Sequence, residues 1–192
     1  MSSQPPADDY DPFDLDFTKL LDPTVKVPMP VASPEQQQAI NEEAVIGEGE
    51  LNTNGFFVRI NKKAPNRPPQ TQPPLVLVVE DDEVTSAILI RLLKARDFRV
   101  IHAFNRATVS DGFKAMPDLV ILDVNLPDAN GFDILNRLRR HPKLATLPVL
   151  MLTSMSELDD ILKGLQLGAN GYLTKPTRAK ILFDAIKQVL AG

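Results

Sequence analysis

Four groups of polar residues stand at or just beyond the ends of short apolar runs. Glu80-Asp81-Asp82 follow Leu75–Val79, and Asp123 follows Leu119–Leu122. Thr153-Ser154 follow Pro148–Leu152, and Lys175-Pro176 stand just past Gly171–Leu173. If the first and third of these runs are neighbouring strands, three or more carboxyls converge on one edge. Like charges that close repel. A hard divalent cation with oxygen ligands resolves the conflict, and Mg2+ suits one or two carboxylates completed by water. A hydroxyl and an ammonium on the far side then complement a dianionic phosphoryl group.

The elements that must position these residues are legible from periodicity. Leu75–Val79 and Leu119–Leu122 are all apolar, as strands buried on both faces are. Arg99–Ala103, Pro148–Leu152 and Gly171–Leu173 complete five strands; the second ends uninformatively at His102-Ala103. Between them, apolar residues recur with helical period: Val84 to Leu93, then Arg106–Ala115, Gly131–Arg140, Ser156–Leu167 and Thr177–Leu190. Five strands alternating with five helices predict a doubly wound α/β fold, a parallel sheet with helices on both faces. In such sheets ligands sit beyond the carboxyl ends of the strands, where strand order reverses. The polar groups above lie there.

EDD after the first strand, ILDVNLPDANGFDIL around Asp123, LTS after the fourth and YLTKP at the fifth resemble the receiver (CheY-like) domains of two-component response regulators. Each motif alone is weak; four in order at the right strand ends are specific. The resemblance covers residues 74–192. It implies a flavodoxin-like strand order 2-1-3-4-5, one of the arrangements behind the strand-end rule. It further implies that Asp123 accepts a phosphoryl group from a histidine kinase or histidine phosphotransfer protein, with Mg2+ as cofactor. Asp81 and Asp123 would bind the metal, Asn125 would offer its backbone carbonyl, and Glu80 would act through water. Lys175 and Thr153 would contact the phosphoryl oxygens. Thr153 and Tyr172 match the switch positions, and the Lys175-Pro176 bond is expected to be cis. The resemblance implies a phosphorylation-dependent surface on the fourth helix, fifth strand and fifth helix, read by a downstream protein or by a second copy in a homodimer. It implies signalling rather than enzymatic turnover, with slow self-dephosphorylation. Slowness fits Met155, two beyond Thr153, where a polar side chain can orient water and methionine cannot.

Several of these residues also have a blander reading. Asp82 reads as a helix cap, Ser154 serves equally as a cap, and Tyr172 is as much core as switch. His102 and His141 fall in no motif and read as structural or exposed rather than catalytic. A haloacid-dehalogenase-type phosphatase also uses an aspartyl phosphate, but Asp123-Val124-Asn125 lacks that family's second aspartate. A receiver that has lost phosphorylation should lack one of Asp81, Asp123, Thr153 or Lys175, and all are present.

Residues 1–73 have another texture. Twelve of the seventeen prolines precede Leu75. That density blocks long helices and ladders, so a largely disordered, acidic extension is expected. Three patches could be ordered: Phe13 to Leu21, at helical spacing; Gly55–Ile60, a strand lacking an obvious partner; and a helix begun by Ser33-Pro34-Glu35-Gln36. That helix, to about Ile46, has only Ala39, Ile40, Ala44 and Val45 to bury and is marginal alone. Residues 1–50 carry a net −9, residues 51–74 a net +4 and residues 75–192 a net +1. The near-neutral main domain offers no basic face for nucleic acid. Without cysteine, disulfides and thiolate chemistry are excluded. No apolar run approaches the ~20 residues of a membrane span. No secretory signal opens the chain. A cytoplasmic protein without a DNA-binding domain is expected.

Overall fold

Alternate residues of the apolar runs face opposite sides of one sheet. A computed structural model describes residues 21–22, 24–59, 72–154 and 158–191. Strands β2 (Leu75–Val79), β3 (Arg99–Ala103), β4 (Leu119–Asp123), β5 (Val149–Thr153) and β6 (Gly171–Thr174) run parallel in the order β3-β2-β4-β5-β6. This is the expected 2-1-3-4-5 order. The expected count of five strands is corrected to six among the described residues, because β1 (Phe56–Val58) adds antiparallel to the outer edge of β6. An open edge presents unpaired N–H and C=O groups, and a neighbouring strand satisfies them.

Six helices are described: α1 (Pro34–Asn54), α2 (Glu83–Lys94), α3 (Arg106–Lys114), α4 (Gly131–Arg140), α5 (Leu158–Gln166) and α6 (Ala179–Ala191). Strand alternation divides the core. Val76, Val78, Leu119 and Ile121 pack with Leu89 and Leu93 of α2 and with Leu182 and Ile186 of α6. Leu77, Val79, Val120 and Leu122 face the other side, with Val109, Phe113, Leu135, Leu138 and Ile161 of α3, α4 and α5. Burying each such side chain contributes about 1.5–3 kcal/mol. Both faces of β2 and β4 are therefore dry, and their carboxyl ends are held rigidly. No helix among the described residues is long and apolar enough to cross a membrane.

The extension is more structured than its prolines suggest. Ser33 caps α1 in a reciprocal box: its Oγ accepts from Gln36 N–H at 3.3 Å, and Gln36 Oε1 accepts from Ser33 N–H at 2.9 Å. The helix runs to Asn54, past the expected end near Ile46, and stops at Gly55, whose φ of 78° is the left-handed cap conformation. Its buried stripe is Ile40, Ala44, Gly47 and Leu51; Ala39 and Val45, expected inside, are exposed. Marginal alone, α1 gains its stability from tertiary contact with α5 and β1. Two of the three patches that could be ordered, the helix from Ser33 and the strand near Gly55, are thus found as α1 and β1, with α1 longer than expected. The Phe13 to Leu20 patch lies outside the described residues, while Leu21 is buried in the core.

Candidate functional site

β2, β4 and β6 bring three charged residues together beyond their carboxyl ends. Lys175 Nζ lies 2.7 Å from Glu80 Oε2 and 3.0 Å from Asp123 Oδ2. Both carboxylates are nearly sealed from solvent, whereas Asp81 is exposed. Carboxylate oxygens of Glu80, Asp81 and Asp123 lie within 4.8 Å of one another, close enough to share one metal ion. Glu80 Oε1 accepts from Asp82 N–H at 3.1 Å. Its buried Oε2 faces the Lys175 ammonium. An oxygen-rich, two-carboxylate pocket with a third carboxylate at its mouth therefore fits a hard divalent ion.

The site's electrostatics follow from burial. Desolvation raises the Asp123 carboxyl above its ordinary range and Asp81 adds repulsion, against the Lys175 ammonium and the Asn125 backbone N–H, which favour the anion. Glu80 is raised too, again chiefly by desolvation, with Asp123 adding to it and Lys175 opposing. For Lys175, burial disfavours the charge, but the pairs with Glu80 and Asp123 outweigh it and the net shift is upward. One fixed cation thus serves two reluctant anions.

Local geometry holds these groups. The Lys175-Pro176 peptide is cis, as the resemblance implied. Lys175 N–H donates to Thr153 O at 2.8 Å, tying the end of β6 to β5. Gly131 opens α4 immediately behind the Asp123 carbonyl; a Cβ there would lie 2.1 Å from that oxygen. The Asn125–Asn130 bridge closes the loop, and the Asn130 side chain caps α4 by accepting from Phe132 N–H. Asp82 caps α2 by accepting from Thr85 N–H, the bland role expected of it. Thr153 is buried at the end of β5, and Ser154 beside it is exposed. Met155 lies outside the described residues.

Tyr172 is wholly buried, and its hydroxyl donates to Asp160 O at 2.9 Å. It can enter because α5 carries Gly164, where a Cβ would stand 1.7 Å from the Tyr172 oxygen. Burial, then the nearby Asp160, pushes that hydroxyl's pKa far up. His102 and His141 take structural roles. A ring nitrogen of His102 lies 2.9 Å from Glu80 O, and His141 Nδ1 accepts from Lys143 N–H. Sequence reasoning missed Gly164, Gly171 and Thr174, whose positions depend on contacts between elements. The available signal was glycine inside a helix and a strand, which marks a close approach.

The family description "Response regulator receiver domain" matches residues 76–187. The transcriptional regulatory protein SilR of Salmonella typhimurium, named as probable, is 41% identical over 116 residues, covering 60% of this chain and 50% of SilR. Chemotaxis protein CheY of Pseudomonas aeruginosa is 33% identical over 121 residues, covering 59% of this chain and 94% of CheY. The chain spans about half the length of most of the curated relatives it matches. Among solved structures, CheY4 of Vibrio cholerae superposes with a TM-score of 0.59 at 28% identity, covering 62% of this chain and 99% of that one. The non-phosphorylated HemR receiver domain of Leptospira biflexa gives 0.57 at 32% identity, covering 62% and 95%. By fold, strand-end chemistry and matched sequence, the chain belongs to the receiver-domain family of two-component response regulators.

Proposed function

We propose that this chain accepts a phosphoryl group on Asp123 from a phosphohistidine of a histidine kinase or phosphotransfer protein. The observation that carries the proposal is the Lys175 ammonium placed between Glu80 and Asp123 at the joined ends of three strands. An Asp123 carboxylate oxygen attacks phosphorus as the bond to the donor breaks. The donor leaves with that electron pair, and an acyl phosphate remains. Lys175 and the Thr153 hydroxyl bind phosphoryl oxygens, so the protein's work is positioning and charge balance. Asp81, Asp123, the Asn125 carbonyl and, through water, Glu80 are the groups that would hold Mg2+. When bound, the ion supplies charge neutralisation between carboxylate and phosphoryl oxygens. Thr153 and Tyr172 then pass the change to the face built by α5, β6 and α6, which a downstream protein or a second copy reads. The setting is cytoplasmic, where the donor kinases present their phosphohistidines.

Incubation with acetyl phosphate, with Mg2+ or with excess chelator, followed by intact mass measurement, tests the reading. One base-labile phosphoryl adduct with Mg2+ and none with chelator is expected. Equal adduct in both would remove the metal from the mechanism, and none in either would remove the acceptor role.

The raised carboxyl values add a pH test. Folded Glu80 and Asp123 hold protons more tightly than the unfolded chain, whose ordinary values are 4.5 and 3.8. Their contribution to stability is present below those values and is lost as pH rises through the folded ones. A divalent cation replaces the protons. Mg2+ at a hundredfold excess over Kd should therefore stabilise the protein by about 2.7 kcal/mol at neutral pH and by much less in acid. A rise in Tm independent of pH would place the ion elsewhere.

A further inference from the structure

The α5–β6–α6 face, which the proposed function assigns to a partner, is already covered by the chain's own residues 34–58. The segment before them is held on neighbouring helices. Leu21 is buried in the core, and the Arg106 guanidinium donates to its carbonyl at 2.7 Å. The following segment crosses α4, where Arg137 donates to Val25 O and Arg140 to Pro28 O. Helix α1 then lies along α5, with Gln166 Nε2 donating to Gln37 Oε1 at 2.8 Å. Finally β1 pairs with β6, Phe57 opposite Tyr172.

The fit is close where the belt meets the sheet. A Cβ on Gly171 would stand 2.3 Å from Phe57 O, and one on Gly47 would stand 2.9 Å from the Phe57 ring. Arg59 fastens the far end, with an ion pair to Glu43 at 2.9 Å and its N–H on Asn170 O at 2.8 Å. The belt also reaches the site. Gly55 O accepts from both the N–H and the hydroxyl of Thr174, each at 3.1 Å. Thr174 precedes Lys175 and pairs in register with Thr153.

We infer that residues 34–58 are a built-in partner of the α5–β6–α6 face, and that phosphorylation of Asp123 loosens them. This rests on the acceptor role proposed above. The belt fits a site in which Lys175 is held by Asp123 Oδ2 and Glu80. Phosphorylating Asp123 replaces that pair, and the ammonium turns to the new phosphoryl oxygens. Thr153 is drawn the same way. Both movements act on the backbone beside Thr174, whose two bonds to Gly55 O join belt and sheet. The phosphoryl group therefore distinguishes docked from undocked belt, which is the condition for shifting that equilibrium. A partner of the face gains access only when the belt leaves, so this receiver reads its own phosphorylation in cis before any second protein does.

Hydrogen exchange on the full chain tests the coupling, with and without acetyl phosphate and Mg2+, and with the adduct weighed in the same samples. Exchange in β1 and α1 should quicken roughly tenfold in the phosphorylated protein, an ordinary size for coupling between sites. β2 and β4 should not change, and Asp123→Asn should show no response. Gly171→Ala, which pushes on the Phe57 carbonyl, should give fast exchange in β1 without any donor. Thr174→Val, a milder lesion, should weaken the response while the adduct still forms. An adduct with unchanged or slower exchange in β1 and α1 overturns the belt and leaves the acceptor standing. No adduct overturns both.

Discussion

Asp123→Asn should fold, melt higher than the wild type at neutral pH, and gain no phosphoryl mass from acetyl phosphate and Mg2+. The amide keeps the shape of the side chain but removes the nucleophilic oxygen pair, so the loss of adduct is complete rather than graded. The stability gain follows from the raised Asp123 carboxyl: its ionised form is disfavoured in the fold by desolvation, despite Lys175. A neutral isostere is free of that cost. Lys175→Met should separate the two effects. It removes the ammonium that neutralises transition-state charge, and should slow adduct formation roughly a hundredfold or more. It should also lower stability, because Glu80 and Asp123 lose their shared counter-ion. Adduct formation on the asparagine variant would move the acceptor away from Asp123. An unaltered rate in the methionine variant would reduce Lys175 to a structural cation.

The largest stability loss is expected from Gly131→Ala. Gly131 opens α4, and its N–H donates to Val124 O at 2.9 Å. A Cβ would lie 2.1 Å from the Asp123 carbonyl oxygen and 3.0 Å from Val124 Cα. Both neighbours are backbone, so neither can rotate away. Helix and strand end must separate, at a cost of about 3 kcal/mol or more. For a chain of this size each kcal/mol shifts Tm by about 2–4 °C, so a fall of roughly 6–12 °C is expected. The same separation moves the Asp123 carboxylate, and a displacement near 1 Å can cost about a hundredfold in rate. Thermal melts and adduct rates on one preparation check both. A melt within a degree or so of wild type would mean that the helix start yields freely.

The site was legible because its chemistry lies where local pattern is strongest. Leu75–Val79 and Leu119–Leu122 are all apolar, and a short run buried on both faces has few other foldings. A carboxylate directly after each is then placed by chain direction alone. Lys175 was legible through the YLTKP resemblance, and the structure brings it to Glu80 and Asp123. For Tyr172 the sequence supports core and switch equally. Its depth depends on Gly164 of α5, eight residues earlier and on another element.

The belt was less legible for an equally physical reason. The stripe Ile40, Ala44, Gly47 and Leu51 has helical spacing, but Gly47 carries no apolar side chain and Leu51 lies past the expected end of the helix. Ala39 and Val45 were candidates beside Ile40 and Ala44, and they face solvent. What makes the smaller residues buried is close approach to α5 and to the Phe57 ring. The partner of β1 was invisible for a similar reason. Main-chain pairing at an edge carries no side-chain signature, except that Gly171 opposite Val58 leaves room for it.

The antiparallel addition of β1 also bears on how these molecules behave in a crowd. An unbounded fibre of sheets needs two edges that can accept a neighbour, since open-ended head-to-tail contacts do not close. Here the edge at β6 is taken, and the strand that takes it is only three residues long. Short outer strands are poor templates for further addition. The β3 edge alone can at most pair two molecules, so growth into a filament requires β1 to be stripped away first. The loosening that admits a signalling partner would therefore be the moment of greatest exposure to aggregation, and a short-lived open state would serve solubility as well as signalling.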